Sequence, residues 1–184
     1  MGSIYMEAVL GAKCPTVGLV NIGSEESKGT PLQTEAFALL QNAPVRFIGN
    51  VEPRDVPAGA CDVAVADGFT GNVILKLTEG VALAFAGELK SMFKANVLTM
   101  FAALLMKGKI QQFKKKMDYT EYGGAMLVGI RHPVIKAHGS SNAKAFKNAI
   151  RQARDCAEGG VTKKIEHALA DLARKETSQA AQAR

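Results

Sequence analysis

Asp67-Gly68-Phe69-Thr70-Gly71-Asn72-Val73 is the stretch that decides the fold, because it joins a short apolar run to a long helical pattern. The preceding run, Val63 to Ala66, is typical of a buried strand that Asp67 closes. A strand that turns through two glycines into a helix exposes backbone N–H groups at the edge of a sheet, where an anion can bind. We therefore predict that Thr70 caps the helix and that Asn72 lies in its first turn. The alternative is a capped turn that binds nothing.

Strands and helices alternate along the rest of the chain, which favours an α/β fold. At 184 residues the chain can bury one sizeable core, so we predict a single α/β domain over residues 1–184. Such alternation is typical of a mostly parallel sheet that helices cover on both faces. The predicted strands are 17–20, 46–49, 62–66, 126–130 and 134–137, and the predicted helices are 2–10, 30–42, 72–106 with a continuation to 117 after a break at Gly108, 141–157 and 161–175.

Three loops that follow predicted strands carry glycines and polar side chains. Ligands of open parallel sheets bind outside the carboxyl ends of the strands, so we expect the three loops to meet at one cleft. Glycine-rich loops are common, a histidine before a helix is often a structural donor, and serines there are most simply caps. Loop 1 is Asn21 to Gly29, with Gly23 and Lys28; loop 2 is Asp67 to Asn72; loop 3 is His138-Gly139-Ser140-Ser141.

Composition and cysteine usage restrict the compartment. A hydrophobic content of 47% with few aromatic residues is typical of a soluble α/β protein. Cys14, Cys61 and Cys156 lie far apart without metal-ligand spacing, which indicates a reducing compartment and predicts no metal site. The first eleven residues lack the basic start and apolar run of a signal peptide, so we expect a cytoplasmic protein.

The positive charge is concentrated in one segment. The net charge is +6, and residues 88–116 alone contain seven lysines and one glutamate. The remainder is therefore close to neutral, which argues against a general nucleic-acid-binding protein. The lysines flank the apolar segment Ala95–Met106. We predict a helical hairpin that projects from the domain over about residues 80–117.

Five motifs in a single order resemble the PlsX family of bacterial phospholipid synthesis. The resemblance extends from about Met1 to Glu166 in one register. Members of that family transfer the acyl group of acyl-ACP (ACP is the acyl carrier protein) to inorganic phosphate, giving acyl phosphate and free carrier protein. The motifs are Asn21-Ile22-Gly23 to Lys28-Gly29, Phe47-Ile48-Gly49-Asn50-Val51-Glu52, Asp67 to Asn72, Met117-Asp118-Tyr119 to Gly123-Gly124, and Lys136-Ala137-His138-Gly139-Ser140-Ser141.

The resemblance implies a Rossmann-like α/β/α sandwich, related to isocitrate dehydrogenases and phosphotransacetylases, that forms a homodimer. It also implies that the acyl phosphate passes to the membrane glycerol-3-phosphate acyltransferase. Only the C-terminal half of the family is matched, and Met1 falls where the family has an internal methionine. We therefore expect a truncated gene product, an alternative start or an isolated domain, with little or no activity alone.

Acyl transfer from a thioester to phosphate requires a bound phosphate dianion and a stabilised tetrahedral oxyanion. A thiol with a pKa near ~8.5 is a good leaving group, so no metal, cofactor or covalent nucleophile is required. We hypothesise that Lys28 neutralises phosphate and that Asn72 and the backbone around Gly71 stabilise the oxyanion. His138 and Ser140 would bind phosphate or polarise the carbonyl. The remaining phosphate-binding candidates are Asn21, Gly23, Gly29, Asp67, Gly68, Thr70, Gly139 and Ser141.

Three roles fit the basic projection. Its apolar segment of about twelve residues is too short to span a bilayer, which requires roughly 20. The segment is either a dimer-interface or core helix, a peripheral contact with anionic lipid, or a docking surface for the acidic carrier protein. The residues predicted to contact membrane or carrier protein are Leu98, Phe101, Leu104, Leu105, Lys107 and Lys109.

Two alternative functions stay open. One is a phosphotransacetylase-like enzyme that uses small acyl groups on coenzyme A and shares the fold and the reaction. The other is a half-protein without catalysis that dimerises or binds membrane.

Overall fold

The computed structural model describes residues 1–116, 121 and 123–182. Its helices and parallel sheet confirm the α/β fold class and are consistent with a Rossmann-like arrangement. The strands are β1 Thr16–Val20, β2 Arg46–Val51, β3 Val63–Val65, β4 Gly124–Leu127 and β5 Val134–Ala137. The α-helices are α1 Gly2–Leu10, α2 Pro31–Asn42, α3 Gly68–Phe93, α4 Val97–Leu105, α5 Lys107–Lys116, α6 Ala143–Glu158 and α7 Val161–Gln182, and a 3-10 turn covers Val56–Ala58.

Local signals in the sequence fix the first two helices. α1 ends at Gly11, which takes the left-handed conformation with φ of 69°. α2 begins after Thr30, which forms a capping box with Gln33, and Pro31 occupies the first turn. Both boundaries agree with the sequence prediction because each depends on interactions within a few residues.

β1 is the central strand of a three-stranded parallel sheet in the order β2-β1-β3. Four of its five residues are buried. On the β2 side, the rings of Phe37 from α2 and Phe47 pack edge to face with 5.1 Å between their centroids. Because the strands are parallel, the loops after β1, β2 and β3 leave the sheet at one edge, which we call the carboxyl edge.

β4 and β5 form a separate antiparallel hairpin. The prediction that all strands join one mostly parallel sheet is therefore wrong for this pair, and β4 lies two residues earlier than expected. Only residues 128–133 separate the two strands, whereas a parallel pair requires a crossover of a dozen or more residues. The hairpin packs against α6, beside a second core built on Cys156, Val161 and Ile165.

α3, α4 and α5 form a helical arm, residues 68–116, that starts at loop 2. The helical pattern was predicted from Asn72, but α3 already begins at Gly68. The predicted end of the pattern at Met117 lies outside the described residues.

The arm is interrupted at two places that differ from the predicted break. α4 begins after Asn96, whose side-chain oxygen accepts a hydrogen bond from the Thr99 N–H at 2.9 Å. The second break is at Met106, and Gly108 lies inside α5, so the predicted break at Gly108 is wrong. An asparagine cap favours a helix start at a particular residue more strongly than a glycine does, because its side chain accepts a hydrogen bond from a free N–H group of the first turn.

The arm exposes its apolar side chains. No residue of α3 or α4 is buried. By length and composition α3 could cross a membrane, a criterion that core helices of soluble proteins also meet. In the described structure the arm is therefore held by its helical hydrogen bonds and caps rather than by burial of an apolar face.

Candidate active site

Loop 1 is organised by Asn21, a polar residue that is buried at the end of β1. Its amide nitrogen donates to the Lys28 carbonyl at 2.8 Å, and its side-chain oxygen accepts from the Ile22 N–H at 2.8 Å. Its own backbone N–H donates to the Val51 carbonyl at the end of β2. These bonds close loop 1 over the carboxyl edge and fix the position at which the Lys28 side chain leaves the backbone.

Gly29 is required by the shape of loop 1. It has φ of +95°, and a β-carbon there would lie 2.6 Å from Asn21 Oδ1. The neighbouring Lys28 ammonium lies 3.9 Å from the Glu25 carboxylate, and both side chains are exposed. Exposed pairs of this kind are weak, so Lys28 can exchange Glu25 for a phosphate oxygen at little cost.

Asn50, near the end of β2, joins loop 1 to the next strand. Its amide nitrogen donates to the Glu25 carbonyl at 2.8 Å. Its side-chain oxygen is buried and has no hydrogen-bond partner among the described residues. Such a group is costly unless water, a ligand or another chain satisfies it, so Asn50 marks a position for a further polar contact at this edge. Asn50 lies in one of the five motifs, but no role was predicted for it from the sequence.

Loop 2 is capped by Asp67. One oxygen of its carboxylate accepts from the N–H groups of Phe69 and Thr70 at 3.0 and 2.8 Å, and the other accepts from the Thr70 hydroxyl at 2.6 Å. The Gly71 N–H donates to the Asp67 carbonyl at 2.9 Å. The prediction that Thr70 caps the helix is therefore wrong, and the Gly71 amide is not a free oxyanion donor. Asn72 is the fifth residue of α3 and lies beyond its first turn.

The cap determines the charge at the start of α3. The hydroxyl of Thr70 above all, together with the N–H groups of Thr70 and Phe69, holds the pKa of the Asp67 carboxyl below its usual value. Asp67 is thus a carboxylate at neutral pH and already occupies the positive end of the helix dipole. A phosphate at this edge must be neutralised by cations from other loops.

Loop 3 presents the His138 ring in a defined orientation. His138 Nδ1 accepts from the Ser140 N–H at 3.2 Å and lies 2.7 Å from the Ser140 hydroxyl oxygen. Because a backbone N–H can only donate, the proton of the neutral ring is on Nε2, which faces away from this turn as a donor.

The start of α6 lies later than predicted. Asn142, not Ser140 or Ser141, caps the helix by accepting from the Ala145 N–H at 2.9 Å. The Ser141 hydroxyl is buried and has no partner among the described residues. Its donor is therefore not used within the described residues, and its predicted role in binding phosphate stays a prediction.

The His138 ring of loop 3 lies near Glu79 of α3. Lys76 and Glu79 follow Asn72 at intervals of four and three residues and share its helix face. The Lys76 ammonium lies 2.7 Å from Glu79. This hydrogen bond first, and the nearby His138 to a smaller extent, lower the pKa of the Glu79 carboxyl. Lys76 was not predicted as a site residue, although its spacing of four residues from Asn72 places both on one helix face.

The predicted site residues thus form two groups. Loop 1, with Lys28, lies at the carboxyl edge beside β2, whereas His138 lies near Glu79, two helical turns beyond Asn72 on α3. Within residues 1–116, 121 and 123–182, no hydrogen bond or ion pair joins Lys28 to Asn72 or His138. A bound substrate would have to bridge the two groups.

The cysteines and the acidic residues give no sign of other chemistry. Burial raises the pKa of the Cys61 and Cys156 thiols, which disfavours the nucleophilic thiolate. Among the described residues, no three His, Cys, Asp or Glu side chains come together as a set that could hold a metal ion.

Comparison with known proteins identifies relatives over nearly the whole chain. Residues 1–164 match the family described as "Fatty acid synthesis protein". The chain is 52% identical over 169 residues to a protein named phosphate acyltransferase from Brevibacillus brevis, with 92% of this chain and 50% of the relative covered. Relatives of the same name from Clostridium acetobutylicum and Anoxybacillus flavithermus are 51% and 49% identical over 172 residues, covering 94% of this chain and 52% of each relative. The chain therefore spans about half the length of the curated relatives it matches.

Proposed function

This chain belongs to the fatty acid synthesis protein family, and on that premise we propose that it supplies half of an enzyme that forms acyl phosphate from acyl-ACP and inorganic phosphate. The names of its relatives support a role in phospholipid synthesis. The observation that carries the finer proposal is the meeting of loop 1 and loop 2 at one carboxyl edge, beside a buried Asn50 oxygen that lacks a partner.

The proposed reaction is the attack of a hydrogen phosphate oxygen on the thioester carbonyl carbon. A C–O bond forms, the carbonyl oxygen takes up negative charge, and the C–S bond then breaks. The proton of hydrogen phosphate passes to the departing thiolate, so the products are acyl phosphate and the free thiol of the carrier protein. Positioning of the two substrates and stabilisation of the oxyanion carry most of the rate.

The reacting atoms are proposed to lie over the first turn of α3, where both groups of site residues can reach them. Lys28 approaches from loop 1 and neutralises phosphate. The Asn72 amide donates to the oxyanion, and His138 Nε2 and the Ser141 hydroxyl donate to phosphate. The carboxylate of Asp67 fixes the start of α3. It also repels the phosphate dianion, which restricts where phosphate can bind.

Phosphate-dependent thiol release from palmitoyl-ACP tests this function. We would assay the chain alone and mixed with the N-terminal half of the Brevibacillus brevis relative, with the intact relative as positive control. In the mixture, Lys28→Ala is expected to lower the rate on the order of 10²-fold, as loss of one stabilising group at such a site does. Lys13→Ala is the matched control, because Lys13 is also exposed but precedes β1 at the opposite edge. No release by the mixture, or equal rates for both variants, contradicts the proposal.

The alternatives make different predictions in the same assay. A phosphotransacetylase-like enzyme would release thiol from acetyl coenzyme A in preference to palmitoyl-ACP. A half-protein without catalysis would release none even in the mixture, yet would dimerise or bind vesicles.

The helical arm is proposed to make the peripheral membrane contact through α4. Leu98, Phe101, Leu104 and Leu105 are all more than half exposed, and exposed Lys107 and Lys109 follow. A nine-residue helix is about 14 Å long, less than half of a hydrocarbon core of about 30 Å, so α4 would lie in the interface. This location at the cytoplasmic membrane surface would shorten the path of the acyl phosphate to the membrane glycerol-3-phosphate acyltransferase.

Vesicle sedimentation separates this contact from the others. Leu104→Glu/Leu105→Glu is expected to weaken binding to phosphatidylglycerol vesicles at least tenfold, because each inserted leucine contributes about 1.5–3 kcal/mol. Leu32→Glu/Leu39→Glu is the matched control, since both leucines are exposed on α2, outside the arm. Unchanged vesicle binding of the arm variant, together with weaker binding of ACP, would assign the surface to the carrier protein. A change in sedimentation coefficient alone would assign it to the homodimer.

A further inference from the structure

A groove of about 470 Å³ lies between the segment after β2 and one face of α3. Pro53 and Pro57 form one wall, and Ile74, Leu77, Val81 and Phe85 form the other. The four α3 residues are spaced by three or four positions and therefore lie in one line along the helix. The groove is lined almost entirely by apolar groups, and nothing in the sequence analysis assigned it a role.

We propose that this groove binds the fatty acyl chain of the thioester substrate. The inference deepens the proposed acyl transfer and rests on it for the identity of the ligand. The proposed ligand is a long, uncharged alkyl chain.

The position of the groove supports this ligand. Its α3 wall continues toward loop 2, because Thr70 precedes Ile74 by one helical turn and lies on the same line. Its other wall begins three residues after Asn50, which is bonded to loop 1. Both walls therefore start at the carboxyl edge, because Pro53 follows the end of β2 by two residues and α3 starts shortly after β3.

The size of the groove supports a long chain. Eleven residues separate Ile74 from Phe85, which corresponds to about 16 Å of helix. An extended alkyl chain with C–C bonds of ~1.5 Å advances about 1.25 Å per carbon, so roughly 13 carbons match this length. An acetyl group would leave most of the groove unfilled.

The charges at the rim favour an uncharged ligand. Arg54 lies at the groove, but its guanidinium is 3.2 Å from Glu52 and 3.8 Å from Asp55. Arg54 together with these two carboxylates carries a net charge of −1, so the rim does not attract a fatty acid carboxylate. A thioester carries no charge at that end of the chain, so the paired rim suits an esterified chain.

Fluorescent chain binding to the 184-residue protein tests the inference. The probes are cis-parinaric acid and its methyl ester, which are expected to bind within about threefold of each other. Displacement by saturated methyl esters is expected to strengthen with each added carbon and to level off at about 13 carbons. A strong preference for the free acid, or no dependence on length, overturns the inference.

Two variants of α3 locate the probe. Leu77→Asp is expected to weaken binding at least tenfold, whereas Leu83→Asp is expected to change it less than twofold. Both leucines are exposed, at 65% and 75%, so neither variant has to bury a charge, and circular dichroism verifies folding. Equal loss in both variants would mean binding to the general apolar surface and would overturn the groove. If Leu77→Asp changes the sedimentation coefficient but not probe binding, the acyl-chain proposal is overturned, and the groove is instead an interface with a second protein chain.

The outcome is separable from that of the proposed function. Suppose that Leu77→Asp loses the probe, Leu83→Asp retains it, and the mixture releases no thiol when phosphate is added. This result would support acyl-chain binding in the groove and would contradict the proposed reaction. Thiol release from palmitoyl-ACP that is unaffected by Leu77→Asp would overturn the groove and leave the reaction in place.

Discussion

The parallel sheet and the helical arm use apolar residues in opposite ways. In β1, four of five residues are buried, and the ring of Phe37 covers the neighbouring strand. In α3, none of the 26 residues is buried, although leucine, valine and phenylalanine recur along it. The sheet is stable through contacts within this chain, whereas the arm presents a surface that lipid, carrier protein or another polypeptide can cover. Apolar content alone does not distinguish these two cases.

Glycine substitutions are expected to give the largest contrast. At Gly123, which packs against α6 with φ of +84°, a β-carbon would lie 2.2 Å from the Ala149 backbone nitrogen. Gly123→Ala should lower the free energy of unfolding by about 4 kcal/mol or more, because backbone atoms cannot yield as a side chain does. Gly80→Ala on α3 meets nothing within 4 Å and should raise it by about 0.5–1 kcal/mol. Urea unfolding measures both values.

A third substitution separates the free-energy cost of a positive φ from the cost of the steric clash. Gly59 has φ of +83° but no atom within 4 Å of an added β-carbon. Gly59→Ala should therefore lower the free energy of unfolding by only about 1–2 kcal/mol. A cost for Gly123→Ala no greater than that for Gly59→Ala would show that the hairpin does not pack against α6 as described.

Truncation of apolar side chains should show the next largest difference. Val161 is fully buried in the second core, so Val161→Ala should lower the free energy of unfolding by about 2 kcal/mol. Leu83→Ala on the arm should change it by less than about 0.5 kcal/mol in the monomer. Thermal unfolding over a range of protein concentrations provides the measurement. A larger cost for Leu83 that grows with concentration would indicate that the arm is covered in an oligomer.

The polar residues that shape the two regions should differ more modestly. Asn21→Ala removes a buried amide that closes loop 1 and leaves the Lys28 carbonyl without its donor, at a cost of about 1–3 kcal/mol. Asn96→Ala removes the exposed cap of α4 at a cost of about 1 kcal/mol. Hydrogen exchange should show the first loss in the sheet and the second in the arm alone. Exchange that changes in the same amides for both variants would contradict this separation.

The smallest expected effect lies at the junction of the two regions and depends on pH. Because the folded structure holds the pKa of Asp67 below its ordinary 3.8, the ionised form stabilises the fold above that value. This contribution is lost as the pH falls through the lower folded pKa. Thr70→Val removes the largest cause and brings the folded pKa closer to 3.8, so the variant should lose less stability than the unsubstituted chain as the pH falls below about 3.8. Melting temperatures between pH 7 and about 2 measure this difference, and an equal acid-induced loss in both proteins would show that the Thr70 hydroxyl does not act on Asp67.

Several of the structural differences were readable in the sequence. Asn96 and Thr99 have the spacing of a capping box, which marks the start of α4. The helix break was predicted at Gly108 instead. The six residues between β4 and β5 are too few for a parallel connection. Asp67 competes with Thr70 as the helix cap and, as a carboxylate, is favoured by the dipole.

Other features could not be predicted by any local pattern. The approach of His138 to Glu79 requires the position of the hairpin relative to α3. The groove beside α3 requires the path of the segment after β2. The substrate roles of Lys28, Asn72 and His138 stay predictions, which the proposed variants test.

The sequence by itself determined where most elements begin and end, because caps, prolines and glycines of positive φ act within a few residues. Gly11, Thr30 and Pro31 set their boundaries in this way. Only the tertiary structure decided which apolar faces are buried and which loops meet. Those outcomes depend on contacts across long separations, such as the 2.7 Å hydrogen bond from the Thr16 hydroxyl to Asp62, 46 residues away. The free energy of such contacts depends on the whole chain arrangement and has no signature in a short window of sequence.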